Sequence, residues 1–227
     1  MRHRFFVPDA IEIGETVDLT PDERHHARVV RVREGEEVEI FDATGKNYLG
    51  RYESDAIQIL RETANREPRT AIHLAMAIIQ LDKFELVLQK ATELGAQSII
   101  PLITDRMEVR IERIRGKEDR WKKIVLEAVK QSGRSRIPTI EAPAKFDDVI
   151  ARAGSKIIFD ADANPATEQP SSPVTLFIGP EGAFTERELD LACANNALFE
   201  RLGPRRLRAE TAAIVALVVL NARSGNI

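Results

Sequence analysis

Up to about Glu67, apolar positions fall in short runs, several alternating with polar ones, as half-buried strands require. Arg4 to Val7, Thr16 to Leu19, Glu37 to Phe41, Asn47 to Ser54 and Ala56 to Leu60 are the predicted strands, and Val38 and Ile40 alternate with glutamates. Ala43-Thr44-Gly45-Lys46 is the predicted hairpin turn. One short helix interrupts the strands, with Thr20 as N-cap, Pro21 in its first turn and continuation through Val29. The pattern reads as a small barrel.

Asn65-Arg66-Glu67-Pro68-Arg69 is a polar, proline-containing junction, and it sets the predicted domains at 1–68 and 69–227. Beyond it strands and helices alternate. Ala71 to Ile79 is an apolar strand. Phe84, Val87, Leu88, Ala91 and Leu94 recur at helical spacing, and Gly95 supplies a C-cap. Ser98 to Ile103 closes a βαβ unit. Trp121, Ile124, Val125, Ala128 and Val129 mark a second amphipathic helix that ends at Ser132-Gly133. Further strands are predicted at Lys156 to Phe159, Val174 to Ile178 and Leu198 to Leu202, with Pro165 to Pro173 as a polar loop. Thr185 to Glu188 has capping-box spacing and opens a helix through Ala192. The last helix, from about Ala209 to Ala222, is apolar on nearly every side, so it must be buried in its own domain or against a second copy. The class is α/β with a small β domain in front.

The most specific chemistry lies in two loops, Ile178-Gly179-Pro180-Glu181-Gly182 and Leu202-Gly203-Pro204-Arg205, the latter running into Leu207-Arg208-Ala209-Glu210-Thr211. Each follows a predicted strand and precedes a helix. Open α/β sheets bind ligands beyond the C-terminal ends of their strands. Neither loop matches a glycine-rich phosphate fingerprint. Main-chain edges of this kind suit a base such as adenine better than a phosphate chain.

Composition narrows the class. The 227 residues are 43% hydrophobic and 30% charged, enough for a sizeable core under an ordinary polar surface. The single cysteine, Cys193, excludes an internal disulfide and a cysteine-based zinc cage, and is compatible with a reducing cytoplasm. Residues 1–8 carry charge without an apolar core, so no signal peptide is expected, and the longest apolar run, Ala212 to Leu220, is too short to span a bilayer. The net charge is −3, yet Asp105 to Arg136 holds eleven basic residues against six acidic, whereas the residues before Thr70 hold eleven against fifteen. The basic segment is either a track for a phosphate backbone or a solvated face.

Taken together the motifs carry a resemblance over essentially the whole chain. Arg4-Phe5-Phe6-Val7, His25 to Val32, Lys90-Ala91-Thr92-Glu93-Leu94-Gly95, Gln131-Ser132-Gly133-Arg134 and the two Gly-Pro loops stand in the order found in the ribosomal RNA small subunit methyltransferase E family, and the chain resembles that family. The resemblance implies a PUA-like N-terminal domain and a SPOUT-type domain whose mostly parallel sheet carries a C-terminal trefoil knot. It implies S-adenosylmethionine as donor, N3 of a uridine in 16S rRNA of the small ribosomal subunit as acceptor, and a homodimer; a cytoplasmic location is expected beside it. Three positions depart from the family's usual pattern: Ala183 stands where glycine is common, Met107 where serine often follows the Asp-Arg pair, and Lys130 where an acidic residue is usual.

The expected donor contacts are Ile178, Gly179, Pro180, Glu181, Gly182, Leu202, Gly203, Leu207, Arg208 and Thr211. Catalytic candidates are Arg134, Glu181 and Arg208, and RNA-facing candidates are Arg4, Arg28, Arg106, Arg134 and Arg136. Uracil N3 becomes nucleophilic as its proton leaves, and the charge spreads onto the flanking oxygens, where an arginine stabilises it. Arg134 can face the base or clamp a phosphate, Glu181 can take a proton or fix its loop, and Thr211 can cap a helix or touch the donor's carboxylate. Glu210 suits a helix N-terminus without further duty. His25 and His26 are consecutive on a helix and face different ways, so no metal is expected. His3 and His73 have no evident partner, Cys193 is expected in the core, and Trp121 is expected to pack rather than to stack on a base. The alternatives are a SPOUT methyltransferase acting on another RNA nucleotide, and a non-catalytic RNA-binding or ribosome-assembly protein.

Overall fold

A computed structural model describes residues 2–164 and 171–227; of the predicted loop 165–173, residues 165–170 lie outside the described residues. The chain divides into two compact units. One comprises Met1–Glu67 with Val129–Ile137, the other Pro68–Ala128 with Pro138–Ile227.

The first unit contains β1 (Arg4–Val7), β2 (Thr16–Asp18), α1 (Pro21–Val29), β3 (Glu37–Asp42), β4 (Asn47–Glu53) and β5 (Ala56–Thr63). Thr20 caps α1 as its sequence required, its side chain accepting from the Glu23 N–H. The strands form one sheet in the order β1-β3-β4-β5-β2, in which β1 and β3 pair parallel and the other described pairs are antiparallel. Among the described residues no pair joins β1 to β2, so the unit is a half-barrel rather than a closed one. A bulge at Leu49/Gly50 interrupts the β4–β5 ladder. Phe5, Ile40, Tyr48, Ile57 and Ile59 fill the core.

The second unit is built on a parallel sheet of β6 (Ile72–Ala77), β7 (Ser98–Ile103), β8 (Thr139–Ile140), β9 (Ala144–Lys145), β10 (Ser155–Phe159), β11 (Val174–Ile178) and β12 (Leu198–Glu200). The order is β12-β10-β11-β6-β7-β8, with β9 also on β7. Its helices are α2 (Leu81–Glu93), α3 (Glu118–Ser132, whose last four residues group with the first unit), α4 (Phe146–Ile150), α5 (Glu186–Ala194) and α6 (Ala209–Arg223). The central strands are apolar almost throughout because parallel sheets are covered on both faces. Phe146, Val149 and Ile150 of α4 pack with Ala75, Ile158 and Phe177 of the sheet. Helix α6 packs on α2 and β11, and Asn221 Nδ2 pins the pair by donating to the Leu94 and Leu217 carbonyls at 2.8 and 2.9 Å.

The elements β8, β9 and α4, and a 3-10 turn at Ile111–Arg113, had no predicted counterpart, because each is five residues or shorter and carries too little periodicity to register. The predicted strand through Leu202 stops at Glu200, whose carboxylate pairs with Arg223 at 2.6 Å. That early stop leaves Leu202 and Gly203 in a turn, with Gly203 at φ +107°. Residues 129–137 group with the first unit rather than with the rest of the chain beyond Glu67. Glu67, Glu23 and Arg4 all bind this segment, and none of those contacts has a local sequence signature.

Candidate active site

The two Gly-Pro loops meet at the C-terminal ends of β11 and β12. They line a cavity of about 390 Å³ with Phe159 to Asp162 at the end of β10 and the first residues of α6. Of the expected donor contacts, Ile178, Gly179, Pro180, Glu181, Leu202, Gly203, Leu207 and Arg208 line it, while Gly182 and Thr211 do not. The volume is that of a small-molecule site. Its walls are apolar at Phe159, Ile178, Phe184, Leu202, Leu207, Ala209 and Ala212, and bear acid at Asp160, Asp162 and Glu181 and base at Arg205, Arg206 and Arg208. Asp160 and Asp162 escaped the sequence reading because they follow an unremarkable strand. Their signal was positional, since β10 neighbours β11 in the sheet.

Glu181 lies 3.8 Å from the ammonium of Lys83, near the start of α2, a partner that no local motif announces. Arg208 is the N-cap residue of α6 and offers no side-chain cap; among the described residues its exposed guanidinium has no hydrogen-bonding or ionic partner. Glu210 has one carboxylate oxygen, Oε2, buried without a hydrogen bond. Arg106 is engaged by the first loop, donating from Nη1 to the Gly182 carbonyl at 2.9 Å and to the Phe184 carbonyl at 3.3 Å.

Arg134 does not line the cavity. Its side chain is 3% exposed and binds Glu67, with Nη2 2.7 Å from Oε2 and Nε 3.2 Å from the same oxygen. The Ser135 and Arg136 N–H groups donate to the other Glu67 oxygen at 2.8 and 3.0 Å. Burial pushes the Glu67 carboxyl up, but the Arg134 hydrogen bonds and charge and the two N–H donors outweigh it, so the group sits below the usual glutamate range. Gly133, at φ +76°, makes the turn that sends Arg134 toward Glu67.

Arg4 is also closed off. It is 7% exposed, donates from Nη2 to Asn47 Oδ1 at 2.9 Å and to the Arg134 carbonyl at 2.7 Å, and lies 5.0 Å above the Phe41 ring. Burial first, then the Arg66 charge, lower its pKa against the pull of Glu39 and Glu67. Arg28 and Arg136 remain exposed, Arg28 with Asp55 at 3.7 Å. Lys130 is buried with Glu23 at 2.6 Å, side-chain exposures 9% and 5%.

The histidines divide likewise. His26 meets the Phe5 ring edge-on, His3 lies 3.6 Å from Glu36, and His73 Nδ1 shares a hydrogen bond with Ser98 Oγ at 2.8 Å. So His3 and His73 do have partners, brought to them by strand pairing. Trp121 packs on Phe84 with ring centroids 5.1 Å apart. Cys193 is exposed and not in the core, because the buried side of α5 is set by Glu188 and Ala192 and position 193 turns away from it. Among the described residues no group of three or more metal-ligating side chains is gathered.

A family model described as an RNA methyltransferase domain matches residues 65–221, and one described as an RNA methyltransferase PUA domain matches residues 19–60. A Synechocystis protein named ribosomal RNA small subunit methyltransferase E is 31% identical, with 98% of this chain and 78% of the relative covered. The chain belongs to the ribosomal RNA small subunit methyltransferase E family. The Bacillus subtilis member is 29% identical over 96% of this chain and 95% of its own. The Neisseria gonorrhoeae member, solved bound to S-adenosyl methionine, superposes with a TM-score of 0.91 at 30% identity and 98% coverage of both chains. A methyltransferase from Legionella pneumophila, solved with bound SAM, does so at 0.87 and 34%, again with 98% of both covered. The half-barrel is thus PUA-like and the parallel-sheet unit SPOUT-like, and the family is one of S-adenosylmethionine-dependent 16S rRNA methyltransferases.

Proposed function

We propose that this chain transfers a methyl group from S-adenosylmethionine to N3 of one uridine in 16S rRNA of the small ribosomal subunit, in the cytoplasm and as a homodimer. The observation that carries the reading is the cavity itself. Its backbone edges suit an adenine, its apolar walls suit a sulfonium ligand's adenosine, and its acidic and basic groups match a ligand that bears both signs of charge. When bound, the donor supplies an electrophilic methyl. The protein's share is to hold donor and acceptor in register, an effect worth roughly 7–11 kcal/mol in favourable cases.

Arg208, exposed at the cavity and without a partner among the described residues, is the group we assign to the charge that develops on the uracil oxygens. Glu181, paired with Lys83, is held at the cavity wall in position either to accept a proton or to fix its loop. Arg28 and Arg136 are the exposed RNA contacts. Arg4 and Arg134, both buried, support the surface from beneath. The dimer reading rests on α6: Ala209, Ala213, Ala216, Leu217 and Leu220 are buried within the chain, yet Val218 is 37% exposed and Ile214, Val215 and Val219 are only partly covered. A second copy of this helix would cover them. The same C-terminal segment, from β12 into α6, is where the trefoil knot is proposed. Among the described residues no helix is long and apolar enough to cross a membrane.

The test is transfer of labelled methyl to small-subunit particles from cells lacking this protein, with the product nucleoside identified by mass spectrometry. A single N3-methyluridine is the expected product. A different methylated nucleoside moves the acceptor, and loss of both transfer and donor binding returns the chain to an RNA-binding role. Light scattering at micromolar concentration checks the dimer, and V218E is expected to yield monomers.

A further inference from the structure

We propose that Arg106 is a positioning residue for the donor loop, holding Ala183 in a left-handed backbone conformation that the cavity needs. The inference rests on the reading of that cavity as the S-adenosylmethionine site. Ala183 lies at φ +58°, a region in which a Cβ meets the following carbonyl and which glycine occupies without strain. It also lines the cavity, together with Gly179, Pro180, Glu181 and Phe184. The Ala183 N–H closes a turn onto the Pro180 carbonyl at 2.9 Å, so its backbone angles set how the loop's edge is presented.

The Arg106 guanidinium binds the carbonyls on both sides of this strained residue, those of Gly182 and Phe184. Both bonds come from one nitrogen, Nη1, so the carbonyls of residues i−1 and i+1 are tied to a single point and the torsions between them are restrained. The guanidinium does this from outside the cavity: Gly182, which does not line the site, is the residue whose Cα faces the Arg106 stem, and a Cβ there would come within 3.3 Å of Arg106 Cβ. The segment carrying Arg106 is anchored separately. The Asp105 N–H donates to Glu188 Oε1 at 3.0 Å, and Asp105 Oδ2 accepts from Thr185 Oγ1 and Arg187 Nε, each at 3.0 Å. Removing the guanidinium therefore removes the bridge and leaves the segment in place. With glycine at 183 the bridge has less to do, so residues 106 and 183 are coupled.

The experiment is calorimetric binding of S-adenosylmethionine to the full-length protein without RNA, for wild type, R106A, A183G and R106A/A183G. R106A is expected to raise Kd about tenfold, the loss of charge-assisted bonds to two carbonyls. A183G, itself a change in the cavity wall, sets its own reference Kd, and in that background the same Arg106 change is expected to raise Kd by no more than about threefold. R106K keeps the charge, but its ammonium ends one atom short of the Nη1 position from which both bonds are made. It is expected to follow R106A, and it carries the comparison should R106A not fold. An unchanged Kd in R106A or R106K, as for an arginine that touches only RNA, overturns the proposal, and so does an equal fold-loss in both backgrounds. If wild type binds no S-adenosylmethionine, the reading of the cavity falls first.

Discussion

Two arginine-bearing turns stood out in the sequence, Ser132 to Arg136 and Gly203 to Arg208, and the structure treats them in opposite ways. In the first unit the Arg134 guanidinium is buried on Glu67, and its backbone carbonyl takes Arg4. In the second unit Arg205, Arg206 and Arg208 are all exposed around a cavity, and among the described residues Arg206 alone is near a carboxylate, Asp162 at 3.6 Å. The difference is one of solvation. A charge in the interior needs its partner to persist, so it serves the fold; a charge at a wet cavity rim keeps its field free for a ligand. Substitutions should therefore cost stability in the first turn and turnover in the second.

The sharpest test of the first half is Lys130. K130E places two carboxylates where Glu23 and Lys130 now lie 2.6 Å apart in a buried pocket, and a loss of about 4 kcal/mol in urea unfolding is expected. The charge swap E23K/K130E should recover most of it; no recovery would mean that burial alone, rather than the pairing, sets the loss. Next comes R134A. It leaves Glu67 two backbone N–H donors but removes its directly bonded cation, and a loss of about 3 kcal/mol is expected, with S-adenosylmethionine affinity unchanged at a temperature where the protein is folded. A normal denaturation midpoint with lost methyl transfer would instead restore Arg134 to the reaction. The contrasting substitution is R208A, expected to lower turnover about a hundredfold, roughly 2.7 kcal/mol of transition-state stabilisation, with no change in the urea midpoint. Equal loss in donor affinity would move Arg208 from the acceptor to the donor's carboxylate.

What the sequence could and could not reveal follows the same line. The α1 cap at Thr20, the capping box at Thr185 and the strands at 98–103 and 174–178 were legible because each is fixed by neighbours within a turn or by local periodicity. The Gly-Pro loops were legible as a site because strand, turn and helix follow one another directly. Partnerships across long separations were not. Glu67 is 67 residues from Arg134, Lys83 is 98 residues from Glu181, and Arg106 is 76 residues from Gly182. Nothing at position 134 tells a free guanidinium from a paired one. The rim residues Asp160 and Asp162 needed the strand order, which places β10 between β11 and β12.

Titration separates the two units once more, with the smallest expected effect. In the second unit burial lowers the His73 pKa, with Arg152 acting in the same direction and Glu141 opposing. The folded protein then binds fewer protons than the unfolded chain below the ordinary histidine value, so this contribution is complete above about pH 6.5 and is lost as pH falls toward the folded value. In the first unit Glu67 and Asp42 are both lowered, burial opposing and hydrogen bonds prevailing: Arg134 with the Arg136 and Ser135 N–H groups for Glu67, and Thr44 with the Lys46, Ile11 and Thr44 N–H groups for Asp42. Their contribution is complete above the ordinary carboxylate value, about pH 4, and is lost only below it. Acidification should thus act on the second unit first and on the first unit later. Urea midpoints between pH 7.5 and 5 are expected to decline gently in wild type and to stay flat in H73Q, while E67Q should leave this upper slope intact and flatten the one below pH 4. A slope in H73Q as steep as in wild type would place the titrating group elsewhere and remove His73 from the comparison.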